Sequence, residues 1–167
     1  EKPDREKIQK EITDRSSKNF SPALMKEYLS NDTTMTLDKY RRLYLGYMFQ
    51  EDYDPYRPSP APEMNTNLYH TTNPTGAQCE EIIANARTAL ANNPFDLRQM
   101  SAMITALDIL GQKDLAKIWQ YNLNHLLMTI VSTGTAEDEE RAWYIIEPLH
   151  EYVLLNMMVY QVTNHLF

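Results

Sequence analysis

The chain is 167 residues and 19.5 kDa, the size of one ordinary domain, and its 43% hydrophobic and 23% charged residues exclude disorder throughout. Sixteen Lys and Arg against 23 Asp and Glu give a net charge of −7, the wrong sign for neutralising phosphates, so no nucleic-acid partner is expected. No apolar run nears the ~18 residues that span a bilayer, and a lone cysteine, Cys79, leaves neither an internal disulfide nor a cysteine cluster for structural zinc.

Residues 1–50 predict three helices. Residues 3–14 open on Pro3 and early acids and carry one apolar line, Ile8 and Ile12, as expected of a helix lying on a surface. Ser21-Pro22 reads as an N-cap and first helical residue. Leu24, Met25, Tyr28 and Leu29 form one face behind it, and the helix ends near Asn31-Asp32. Thr36 caps the third helix, which runs to about Gln50 with Leu37, Tyr40, Leu43, Tyr44 and Tyr47 in a stripe and Arg41 and Arg42 on the other side. A tyrosine packs its ring and still has a hydroxyl to satisfy. The stripe therefore suits either a core-and-rim seam or a tyrosine-lined ligand groove.

Residues 51–74 are a Pro-rich loop. Pro55, Pro58, Pro60 and Pro62 forbid helix and favour extended backbone. So long a connection is either functional or a crossover strapped down by Tyr53 and Tyr56. Residues 75–134 then give three helical stripes. The first is Cys79, Ile82, Ile83, Ala86 and Leu90, broken at Asn92-Asn93-Pro94. The second runs from Leu97 to Leu110 and is closed by Gly111; the third runs from Leu115 to Ile130 and closes near Gly134. Short turns between such helices make antiparallel neighbours.

Residues 135–167 change character and carry a net charge of −5, while 51–76 carry −3. The acidic lead-in Glu137–Glu140 runs into Trp143-Tyr144-Ile145-Ile146, a β-prone run stopped at Pro148. A short helix over His150–Met158 and a second strand over Val159–Val162 are expected to follow. The apolar end His165-Leu166-Phe167 suggests further strands beyond it. The expected fold class is α+β, mostly α: a single domain of antiparallel helical hairpins with a small C-terminal antiparallel β-element.

Two resemblances add to this. Ala89-Leu90, Asn93-Pro94, Gly111 and Asp114-Leu115-Ala116 resemble the tetratricopeptide repeat, in which Asn-Pro closes one repeat, Gly ends the next first helix and Ala sits at the tightest helix contact. The likeness spans about 76–132 with one repeat over 97–128; Ile104 and Met128 depart from it, and one repeat does not make a solenoid. The blocks Pro3–Ile8, Tyr40–Tyr47 running into Gln50–Tyr56, Asn93-Pro94 with Leu110-Gly111, and Ala142–Ile146 with His150-Glu151-Tyr152 resemble a second family. It is a domain of unknown function among exported proteins of gut Bacteroidetes. That resemblance implies an upstream signal peptide or lipoprotein leader, hence a periplasmic or outer-membrane-associated setting, and carries over no catalytic residue. A first residue Glu1 rather than Met agrees with a leader before it. Asp32-Thr33-Thr34 resembles the O-glycosylation tripeptide of such proteins and marks Thr33.

Chemistry-bearing patterns are sparse. Gly-x-Ser-x-Gly, His-Glu-x-x-His and Walker runs are missing, and neither a metal nor a cofactor is expected. Glu147, His150 and Glu151 gather two carboxylates and an imidazole at the junction before the last helix, the material of an acid/base site in a hydrolase or transferase; charge beside a turn explains them as well. His125 has the position of a packed histidine, and neither His70 nor His165 completes a spaced pair. Trp119 and Trp143 suit packing anchors or, if exposed, sugar-stacking platforms. The leading expectation is a non-enzymatic interaction or ligand-binding domain for a protein, peptide or glycan. Its surface would be built from Tyr40, Tyr44, Tyr47, Tyr53, Tyr56 and Arg57.

Overall fold

The computed structural model describes residues 2–58 and 71–165, with the backbone alone over 159–165. Among these residues there are seven α-helices and no β-strand. They are α1 (Arg5–Thr13), α2 (Ser21–Leu29), α3 (Leu37–Gly46), α4 (Gly76–Asn92), α5 (Leu97–Ile109), α6 (Lys113–Val131) and α7 (Pro148–His165). Single 3-10 turns follow α3 (Tyr47–Phe49) and precede α7 (Glu139–Arg141). The chain divides into two compact units, Glu1–Tyr56 with Asn124–Phe167, and Arg57–Leu123; the division falls inside α6.

The fold is therefore all-helical, which corrects the expected α+β class. Pro148 does not stop a strand; it starts α7, where a proline loses nothing because a first-turn N–H has no intrahelical acceptor. Helix then continues through Val159-Tyr160-Gln161-Val162, the expected second strand. Residues 142–145 carry no regular secondary structure, against their β-prone character, and no strand lies beside them among the described residues. Their backbone is satisfied by side chains instead: Tyr144 N donates to Thr133 Oγ1 (2.8 Å) and Ile146 N to Tyr44 Oη (3.2 Å). Leu166 and Phe167, Pro60, Pro62 and His70 lie outside the described residues.

In the first unit α3 is the central element. Thr36 Oγ1 caps it by accepting from Lys39 N, and Tyr40, Leu43, Tyr44 and Leu45 are buried along it. Helix α1, capped by Asp4, buries Ile8 and Ile12. Gly46 lets Ile12 in close: a Cβ there would stand 3.0 Å from Ile12 Cδ1. Glu11 of α1 accepts from Arg42 Nε and from Asn19 Nδ2 (2.9 Å). Helix α2 has Phe20 at its cap and Pro22 in its first turn, and it pairs Glu27 with Lys39 of α3 at 2.7 Å. Asn31, in the left-handed region at φ 58°, turns the chain out of α2.

The second unit is built on α4 and α5. Thr75 and Gln78 form a reciprocal capping box at the start of α4, and Asp96 caps α5. Cys79, Ile82, Ala86, Leu97, Met100, Met103 and Leu107 are all buried, the methionines filling irregular space between the two helices. Gly111, at φ 75°, closes α5 in the conformation glycine adopts freely.

Back in the first unit, residues 134–142 form a tight loop. Arg141 O accepts from both Thr135 N (2.8 Å) and Ala136 N (2.9 Å), and a Cβ on Gly134 would collide with the carbonyl oxygens of Arg141 and Ala142. Gly134→Ala is expected to cost about 1–3 kcal/mol, because backbone rather than a flexible side chain must move; urea denaturation of the purified chain measures it. Glu11 supplies a second prediction. The hydrogen bond from Arg42, aided by the one from Asn19, holds its carboxyl below the usual carboxylate range against the opposing effect of burial. A carboxylate lowered in the folded state stabilises above its unfolded pKa and loses that contribution as pH falls through the folded value. Glu11→Gln is expected to be less stable than the parent near neutrality. The gap should close as pH falls through and below the ordinary glutamate range of ~4.3, read from denaturation midpoints.

Candidate functional site

The tyrosine stripe forms three groups of ring contacts inside the first unit. Tyr28 meets Tyr40 edge-on (ring centroids 6.3 Å), Tyr40 lies over His125 (5.2 Å), Tyr44 over His150 (5.7 Å), and Tyr47 meets Tyr53 edge-on (6.1 Å). Tyr40 and Tyr44 are buried, Tyr47 and Tyr53 are half-buried, and Tyr56 and Arg57 are exposed. The hydroxyls reach polar groups of the segment 142–146, which has no regular secondary structure. Tyr44 Oη accepts from Ile146 N and shares a 2.7 Å hydrogen bond with His150 Nδ1, while Tyr53 Oη donates to Ile146 O. Both backbone groups of Ile146, itself buried, are held by tyrosines. Burial pushes both phenols upward, and the Glu147 carboxylate adds to this in each. They stay protonated and act as hydrogen-bonding groups, not nucleophiles. Of the expected ligand surface, Tyr40 and Tyr44 are thus interior, and the exposed members are Tyr56 and Arg57.

The acid/base trio is brought together only in part. His150 Nε2 lies 3.5 Å from Glu147 Oε2 across the first turn of α7. His150 is buried, with its other nitrogen on Tyr44, while Glu151, the next residue, is exposed. A general base needs hydrogen-bond reach of its substrate, which the buried imidazole lacks.

Glu151 opens instead onto a groove of about 630 Å³ between the 135–145 loop and α7. Trp143, Ile145, Leu155 and Met158 supply its apolar wall, and Asp138, Glu139 and Glu151 its carboxylates. Arg141 holds Asp138 and Glu137, and its hydrogen bond keeps the Asp138 carboxyl below the usual range. The indole Nε1 of Trp143 is buried without a hydrogen-bond partner among the described residues. Sequence reasoning named Trp143 and Glu151 but missed Leu155 and Met158. The available signal was the absence of any sustained polar face between Leu149 and Met158, a pattern proper to a helix covered on all sides.

Elsewhere in the first unit, a cavity of about 400 Å³ lies where Lys2, Lys7, Arg41 and Arg42 meet Asp4 and Asp38. Arg42 is already paired with Glu11 and Asp38, and Arg41 donates to Ser132 O and Oγ. Thr33 is exposed in a turn whose Asp32 carboxylate accepts from Thr34 N and Oγ1 (2.8 and 2.6 Å). Among the described residues no group of three or more His, Cys, Asp or Glu side chains is placed to hold a metal ion, and no helix is long and apolar enough to cross a membrane.

The clamp on Ile146 has a measurable cost of removal. Tyr44→Phe keeps the ring and leaves Ile146 N and His150 Nδ1 short of a buried partner, so it is expected to lose about 1–3 kcal/mol. Tyr53→Phe, at a half-buried site, should lose less. Urea denaturation of the two variants beside the parent checks the ranking.

No match was found among curated proteins or among solved structures. A family match covers nearly the whole chain, residues 6–167, and so takes in α7, the groove and the tyrosine clamp together. On that match the chain belongs to the family described as domain of unknown function DUF4919.

Proposed function

We propose that the chain is a non-enzymatic binding domain whose recognition face is the groove between the 135–145 loop and α7. The observation that carries this reading is the open apolar wall itself. Leu155 and Met158 are 42% and 44% exposed midway along a helix that buries His150 and Leu154, beside a cavity of ligand size. The acid/base alternative has weaker support, since its imidazole is interior and bound to Tyr44.

Export to the periplasm or outer membrane, with a lipid anchor upstream of residue 1, is part of the same proposal. It rests on the resemblance to exported proteins of gut Bacteroidetes, and the exposed turn at Thr33 suits O-glycosylation there. The tetratricopeptide-like reading of the helices is likewise a proposal, supported by Gly111 at φ 75° and by buried Ala116.

The uncharged dye Nile red tests the binding face independently of its charge. It is expected to bind the parent saturably and to lose at least ~tenfold in affinity, ~1.4 kcal/mol, in the double variant Leu155→Ser/Met158→Ser. Both positions are exposed, so the denaturation midpoint should stay within about 0.5 kcal/mol of the parent. Unchanged dye binding in the double variant would overturn the proposal.

A further inference from the structure

Resting on the reading of the groove as a binding face, we infer that its ligand is a small organic cation, a primary amine carried on a compact apolar body. The groove holds about 630 Å³, which is within the range of sites for drug-sized molecules. Its α7 wall is Glu151, Leu155 and Met158. Those positions, i, i+4 and i+7, share one face of a helix and span roughly 10 Å along its axis. Trp143 and Ile145 supply the apolar part of the loop wall. Walls of that extent suit a compact molecule rather than a long one.

The lining side chains select the charge. Asp138, Glu139 and Glu151 bring three carboxylates, and among the described residues no lysine, arginine or histidine lines the groove. Arg141 takes up Asp138, while Glu139 and Glu151 have no ion-pair partner among the described residues. The one polar atom of the Trp143 indole is buried, so the ring offers the groove carbon and π surface but no donor. Thr135 Oγ1 already donates to Glu137 (3.3 Å). These side chains accept hydrogen bonds and have none left to give. That suits an ammonium group, opposes a carboxylate or phosphate, and leaves the acceptor oxygens of a sugar unmet. A metal ion fits less well, since no three ligating side chains converge among the described residues and the apolar walls would serve no purpose. Along α7 the carboxylate comes first and the apolar pair follows. The ammonium therefore sits at the Glu151 end, with the body over Leu155 and Met158 and beside the Trp143 ring, whose face also attracts a cation.

Phenylbutylamine, phenylbutanol and phenylbutyrate share one body and differ in the charge of the head, so titration calorimetry with the intact chain tests this directly. The amine is expected to bind saturably and about tenfold more tightly than the alcohol, as two exposed ion pairs and a cation–π contact together would give. The carboxylate should bind weakest. The amine should also displace Nile red from the parent. Raising NaCl from about 0.05 to about 0.3 M should weaken the amine and leave the alcohol nearly unchanged. Glu139→Gln/Glu151→Gln should bring the amine to within about twofold of the alcohol. Glu80→Gln/Glu81→Gln, an equal loss of charge at exposed positions of α4, should leave the preference intact. All four positions are exposed, and circular dichroism verifies the fold of each variant. Equal binding of amine and alcohol, or failure of the amine to displace the dye, overturns the inference. So does a preference that survives Glu139→Gln/Glu151→Gln or that falls equally in both double variants. Any of these results with dye binding still lost in Leu155→Ser/Met158→Ser rejects only the amine and leaves the binding face standing; dye binding that is absent, or unchanged in that variant, rejects both.

Discussion

Two tyrosines from the N-terminal part of the chain hold both backbone groups of Ile146, and much of the first unit is arranged around that pair of hydrogen bonds. A segment outside helix and sheet has peptide groups to satisfy, and leaving them buried and unpaired costs free energy comparable to a lost hydrogen bond. Tyr44 and Tyr53 remove the cost at the buried residue, and Thr133 Oγ1 removes it at Tyr144. Once Ile146 is fixed, Pro148 starts α7 two residues later, with Glu147 O accepting from His150 N at 3.0 Å. Placement of the groove wall follows from there.

The same hydrogen bonds divide the polar residues by task. Tyr44 and His150 are committed to each other inside the unit, so their chemistry supports structure. Glu151, one residue further along α7, faces out. Neighbouring positions on a helix differ by about 100° in direction, which suffices to place an imidazole in the core and the next carboxylate in water. Proximity in sequence therefore did not make Glu147, His150 and Glu151 one site.

Helix positions were legible where capping chemistry and a 3.6-residue apolar period agreed, as at Thr36; Asp4, Thr75 and Asp96 cap their helices as well, without having been singled out in the sequence. The C-terminal third was not, for two physical reasons. A proline punctuates either the end of a strand or the first turn of a helix, and Pro148 serves the second. Val159-Tyr160-Gln161-Val162 has strand propensity, but propensity is a weak preference that a helix already started upstream overrides. The tyrosine positions were visible in the sequence, and so was the choice between seam and groove for them. Their acceptors were not visible, because Ile146 lies 102 residues from Tyr44. The groove walls combine a loop with a helix, and only the folded backbone brings Trp143 and Glu139 beside Leu155.

The first unit is drawn from two separate stretches, Glu1–Tyr56 and Asn124–Phe167, whereas the second is continuous from Arg57 to Leu123. This difference sets an order of events during synthesis. The continuous unit can complete itself from nearby contacts as soon as its residues are available, because closing short loops costs little entropy. The N-terminal helices must wait, with Tyr44 and Tyr53 lacking Ile146, until the segment around Ile146 has been made. A ribosome therefore carries α1 to α3 half-finished while the whole second unit is made, and a transcript truncated before α7 leaves those helices without their partners.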